Sequence, residues 1–158
     1  MKKLLIGLLS ISTVFALVGC SSNQKEDTSG DSDTEKTEIA NPWTEYTTLD
    51  EAIKASGIEI EVPSDQIKVI QCMGNEILEV VYDNGTTIRK GTYDDINGDY
   101  NAYSDVKEVE QDGIKFTLSG DEGFYNNAQW SDGGYNFVVY FATGLNQEDM
   151  LGLCAHVK

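Results

Sequence analysis

The sequence predicts an α+β domain: a curled antiparallel meander sheet of about seven or eight strands, with an N-terminal and a C-terminal helix covering one face. Three observations predict it. Short runs rich in β-forming residues follow one another from Ile58 to Thr143. Turn pairs punctuate them at Asn84-Gly85, Asp112-Gly113 and within Ser131–Gly134, the residues that tight hairpins require. Helical spacing with capping residues occurs only at the two ends of the domain.

Each element has its own warrant. Thr48 and Glu51 form a capping box, and Leu49, Ala52 and Ile53 supply an apolar stripe that Gly57 terminates, so a helix is expected over 48–56. Ile58-Glu-Ile-Glu-Val62 alternates strictly and reads as a strand with one wet face, stopped by Pro63. Gln66–Met73 is a second strand. Glu76–Asp83 has little polar face and reads as central. Asn84-Gly85 predicts a type I′ turn into the return strand Thr86–Tyr93. Residues 94–104 are polar and aromatic without a period. Asp105–Gln111 and Ile114–Ser119 flank Asp112-Gly113, and Gly123–Trp130 and Tyr135–Thr143 flank Ser131–Gly134. Asn146 caps a last helix, whose Met150, Leu153, Cys154 and Val157 fall on one face.

Ahead of this domain the composition changes twice. Lys2 and Lys3 precede an apolar run from Leu4 to Val18, about 15 residues, too short to span a bilayer and suited to an export signal. The run ends in Leu17-Val18-Gly19-Cys20, which resembles the lipobox of bacterial lipoproteins. By that resemblance, residues 1–19 are a signal peptide and Cys20 carries a diacylglyceryl group, with palmitate-type chains that hold the protein at the cell membrane. Each buried methylene contributes about 0.8 kcal/mol, and two chains make a stable anchor where one does not. Residues 20–41 then form a lipidated Cys and an acidic tether in which Ile39 and Ala40 are the only apolar side chains beyond Cys20. Such a stretch cannot offset its ordering entropy and is expected to be disordered. Residues 42–158 are the single extracytoplasmic domain.

Charge narrows the partners. Without the signal the chain has 27 acidic and 11 − 2 = 9 basic side chains, a net charge near −18. Nucleic acid and anionic headgroups repel such a surface. With Cys20 assigned to lipid, Cys72 and Cys154 remain. An exported pair is a candidate disulfide; equally, both stand in apolar settings where a free thiol packs as a small hydrophobe.

Four stretches, Thr48–Pro63, Thr87–Asn101, Ala128–Tyr135 and Leu145–Leu151, together resemble the domain of unknown function 4367 family of Gram-positive lipoproteins and anti-sigma-factor ectodomains. The resemblance covers residues 45–158. It implies a sheet like the half-barrels of lipoprotein carriers, which wrap an apolar ligand, and it supplies no catalytic residues.

Candidate sites are few. Asp95, Asn97 and Asp99 have the spacing of the first half of a calcium loop, but Tyr100 and Val106 stand where an EF-hand needs Gly and Glu. The competing reading is an Asx-rich turn. Tyr100, Tyr103 and Trp130 are candidate binding aromatics, against cross-strand core pairs. Arg89 and Lys90 are the only adjacent basic pair in the domain: either an anion clamp or neutralisation of acids across the strand. His156 is the only histidine, and no nucleophile–base pair, phosphate loop or metal-ligand spacing occurs. The expectation is a non-enzymatic, cofactor-free lipoprotein on the extracytoplasmic face of the membrane. It would be a ligand-binding or envelope-sensing module for an unknown small molecule or envelope protein. The alternative is a structural or accessory scaffold of an envelope complex.

Overall fold

The computed structural model describes residues 41–158. The expected signal peptide, the candidate lipidation site Cys20 and the expected tether as far as residue 40 lie outside the described residues. The fold is α+β: eight antiparallel strands in one sheet, with two helices packed on one face.

Strand β1 (Thr44–Tyr46) leads into helix α1 (Leu49–Ser56). The capping box is formed: the Thr48 hydroxyl accepts from the Glu51 N–H, and the Glu51 carboxylate accepts from the Thr48 N–H. Gly57 ends the helix at φ 73°, a left-handed conformation that costs glycine nothing. Ile58-Glu-Ile-Glu-Val62 is not a strand of the sheet. The alternation was a true sign of one buried face, since Ile58 and Ile60 are buried. Its backbone-to-backbone hydrogen bonds, however, run to the far end of the chain, Glu61 N–H to Lys158 O at 3.0 Å and Lys158 N–H to Glu61 O at 3.1 Å. The sheet gains instead the short β1, which pairs with β2 (Ile67–Met73).

Strands β2, β3 (Ile77–Tyr82) and β4 (Thr87–Gly91) form one meander. Strands β5 (Asp105–Gln111), β6 (Ile114–Asp121), β7 (Phe124–Asp132) and β8 (Tyr135–Leu145) form another. The order is β1-β2-β3-β4-β8-β7-β6-β5, so β8 returns to pair with β4 and joins the halves. Residues 92–104, from the end of β4 to the start of β5 at the far edge, must therefore cross three strands, and they do so over the face opposite the helices.

The turns follow their chemistry with one exception. Asp112-Gly113, Glu122-Gly123 and Gly133-Gly134 each have two successive positive φ values, the type I′ signature. At Asn84-Gly85 only Gly85 is positive. The Gly85 N–H donates to Tyr82 O and the Tyr82 N–H to Thr86 O, a type I turn with Gly85 as the bulge residue. Asn84 keeps negative φ because its side chain accepts from the Thr86 N–H at 2.9 Å.

Helix α2 (Gln147–Cys154), capped by Asn146, packs on β7 and β8, while α1 packs on β1–β3. Met150, Cys154 and Val157 are buried as the spacing predicts, and Leu151 joins them. Cys72 and Cys154 are free and buried. The candidate disulfide is thus replaced by the alternative weighed beside it. The Cys72 thiol donates to Ala52 O in α1 at 3.6 Å. Burial pushes both thiols up, Cys154 to about 12, which makes them poor nucleophiles.

Candidate functional site

The pleat sends Arg89 and Lys90 to opposite faces of the sheet. This split organises everything the domain offers a ligand.

Arg89 faces away from the helices. Directly across the β3–β4 ladder stands Glu79, itself buried. The guanidinium Nε lies 2.5 Å from Glu79 Oε2, and the Gln71 amide donates to the other carboxylate oxygen. A second guanidinium nitrogen donates to Ile96 O at 3.1 Å and Asn97 O at 2.6 Å, and the Trp43 ring lies against the cation at 5.9 Å. Arg89 therefore neutralises an acid across the strand and clasps the crossing segment. That segment is a strap. Asn136 donates to Tyr93 O, Ile96 drops between Ile77 and Val138, and Ser104 donates to Asp121. Gly91 and Gly98 make the close approach possible. A Cβ at Gly91 would sit 2.6 Å from Glu76 O, and one at Gly98, where φ is 63°, would overlap the guanidinium.

The calcium candidates lie in the strap and spend their oxygens locally. Asp95 Oδ1 accepts from the Asn97 N–H. Asp99 accepts from the Asn101 N–H and amide through one oxygen and from the Tyr103 hydroxyl through the other. Asn97 Oδ1 accepts from the Asn127 amide. Asp95 and Asp99 thus close Asx turns, Asn97 instead ties the strap to β7, and the positive charge beneath them is Arg89, which holds the carbonyls of Ile96 and Asn97. Among the described residues no three His, Cys, Asp or Glu side chains are grouped to hold a metal. Asn127 is wholly buried, and its Oδ1 is the one buried side-chain polar atom among the described residues without a partner.

The candidate aromatics do not come together. Tyr100 is exposed on the strap, and Tyr103 beside it bonds Asp99, with burial pushing its hydroxyl up to about 12. Trp130 is on the other face, 6% exposed.

On that helix-covered face, one cross-strand row runs Trp130, Phe137, Lys90, Leu78, Cys72 from β7 to β2. Phe116 in β6 extends it. Trp130 stacks on Phe137 at 5.0 Å and 5°, and meets Phe116 at 5.2 Å and 51°. Lys90 is the only charge in the row and is 9% exposed. Its ammonium lies 4.8 Å from the Tyr135 ring and 4.9 Å from Phe137, the geometry of a cation–π contact. It donates to Glu59 O at 2.7 Å, which fastens the extended 58–62 segment to the sheet. Among the described residues no carboxylate lies within 4.0 Å of it. Burial lowers its pKa, against the weaker opposing pull of Glu59 and Asp132.

No family model, curated protein or solved structure matches this chain. The family resemblance is an expectation from its four stretches of sequence alone.

Where the row reaches the end of α2, the layers part. A groove of about 530 Å³ opens there, lined by Ile114, Phe116, Trp130, Tyr135, Phe137 and Val157, with Lys90 at its inner end. Its rim carries Asp112 and Asp132 on two hairpin turns. The opposite face has a groove of similar size, about 540 Å³, but its floor is Thr117, Gln129, Ser131 and Asn136. Ser131 donates to Asn136 and Asn136 to the strap, so that floor is a polar sheet face with part of its hydrogen bonding already in use. The aromatic groove combines apolar walls with an ammonium that has one hydrogen-bond acceptor for its three donors. Sequence reasoning had the means to find Lys90: Ile88 and Lys90 are two apart in one strand, so a buried Ile88 puts the lysine on the core side.

Proposed function

We propose that the chain is a membrane-anchored extracytoplasmic lipoprotein whose domain is a non-catalytic ligand-binding or envelope-sensing module. The binding half rests on one observation: an aromatic-lined groove at the open end of the sheet–helix sandwich, with the Lys90 ammonium inside it. Its volume is in the range of small-molecule sites. The anchoring half rests on Leu17-Val18-Gly19-Cys20 and the acidic stretch after it.

Catalysis has little to work with. The rim carboxylates Asp112 and Asp132 stand exposed on turns, where nothing buries one of them to hold a proton for general-acid chemistry. His156 is exposed near the C-terminal end of the domain. The scaffold alternative has less support than binding. The exposed large apolar side chains Tyr93, Tyr100, Val106 and Phe124 are distributed over the strap, β5 and β7. Edge strand β5 carries Asp105, Lys107, Glu108 and Glu110, charges that discourage edge pairing.

Two measurements test the proposal. With Trp43→Phe leaving Trp130 as the sole indole, titration of the full chain with phenylbutanol should shift the emission saturably. No change up to about 10 mM, the weak end of specific small-ligand binding, defeats the groove. In cells fed labelled palmitate, the protein should carry label and Cys20→Ser should carry none. Label that survives the substitution defeats the anchor.

A further inference from the structure

The groove holds a buried cation for which the described residues supply no anion within 4.0 Å. Arg89 and Lys90 are neighbours on one strand of a chain with 27 acidic side chains. Arg89 has Glu79 directly opposite at 2.5 Å. The positions opposite Lys90 are Leu78 and Phe137. An ammonium has three donors, and the described residues offer this one a single carbonyl, Glu59 O. A buried charge costs stability unless it is paired and hydrogen-bonded, and the two ring faces compensate only in part.

Resting on the binding reading above, we propose that the ligand is an amphipathic monoanion, an apolar ring or chain bearing one carboxylate, whose carboxylate is taken by the Lys90 ammonium while its body lies along Phe116, Trp130 and Phe137. The walls dictate the apolar body: Ile114, Phe116, Phe137 and Val157 carry no polar side-chain atom and Trp130 only its indole N–H, with Gln111 and Tyr135 the further uncharged polar side chains of the lining. The rim dictates the single charge. Asp112 and Asp132 flank the mouth, and the exposed Lys158 there is already paired with Glu61 at 3.7 Å, so a polyanion such as a phosphate ester would set two carboxylates against the one buried ammonium. Lysine in place of a bulkier guanidinium also fits a monodentate point contact at the end of a narrow site. Anion binding would let the ammonium keep its proton despite the burial that weakens its hold on it.

The test compares three probes of one shape: phenylbutyrate, phenylbutanol and phenylbutylamine. Each is titrated into the full chain carrying Trp43→Phe, in phosphatidylcholine nanodiscs, against empty nanodiscs, with Trp130 emission as the readout. The acid should bind about tenfold tighter than the alcohol, as a charge-assisted hydrogen bond implies, and the amine weakest. In Lys90→Met the acid and the alcohol should converge to within about twofold. If that variant does not fold, Lys90→Gln, which keeps a donor toward Glu59 O, carries the comparison. Equal affinity of acid and alcohol for the parent chain overturns the monoanion while leaving the groove standing. So does a tenfold preference that persists in a folded Lys90 variant. If none of the three probes moves the Trp130 signal, the groove and the monoanion fall together.

Discussion

Arg89→Met should lower the free energy of unfolding by about 3–5 kcal/mol, the usual cost of removing one partner from a buried ion pair. The loss has two parts. Glu79, 5% exposed as a side chain, would keep a carboxylate in the interior with only the Gln71 amide to bond it. The strap would lose the donor that holds Ile96 O and Asn97 O, and with it the clasp between the two meanders on that face. Urea unfolding of parent and variant measures the sum, and hydrogen exchange of the strap amides isolates the second part. The double variant Glu79→Leu, Arg89→Met should recover most of the loss, since an apolar pair of similar volume removes the stranded charge. A loss below about 1 kcal/mol would mean that the pair behaves as a surface ion pair and that Ile96, Asn127, Asn136 and Asp121 hold the strap without the guanidinium.

How far the sequence reveals this molecule depends on whether the deciding physics is local. The capping box at Thr48 and Glu51, the left-handed Gly57 and the Asp112-Gly113 turn are local, and each forms as its residues dictate. The error at Ile58–Val62 is instructive because its pattern was correct. A period of two reports that alternate side chains are buried, and they are. It does not report what the backbone bonds to, and that partner, Lys158, is a hundred residues away. Strand β1 carries no signal, as three residues have no period. The pairing of β4 with β8 is decided by which edges remain after both meanders form, and no short window contains that choice. The strap shows the same limit from the other side. Its Asp and Asn residues leave a cation loop open beside an Asx-rich turn, and the sheet then puts Arg89 beneath them. The function is the least legible part, because the groove exists only where the row from Phe116 to Lys90 meets the end of α2.

Trp130→Ala should cost about 3–5 kcal/mol, the range for removing a large aromatic from a packed interior. The sequence left Trp130 open between binding surface and core, and its place in the row makes it both. Its ring is stacked between Phe116 and Phe137 under α2, and it also forms a wall of the groove. The two roles separate experimentally. Truncation to alanine removes the packing that α2 rests on, so the midpoint of urea unfolding should fall whether or not a ligand is present. Trp130→Phe keeps an aromatic ring in the row and should lose only part of that stability, while shortening the groove wall. Calorimetric titration with phenylbutyrate should then show weaker binding to a chain that remains folded. Were Trp130→Ala to unfold at nearly the parent urea concentration yet bind nothing, the aromatic row would be a platform laid over a core that stands without it. Ile88, Val80, Leu118 and Val139, in the neighbouring rows, would then hold the fold by themselves.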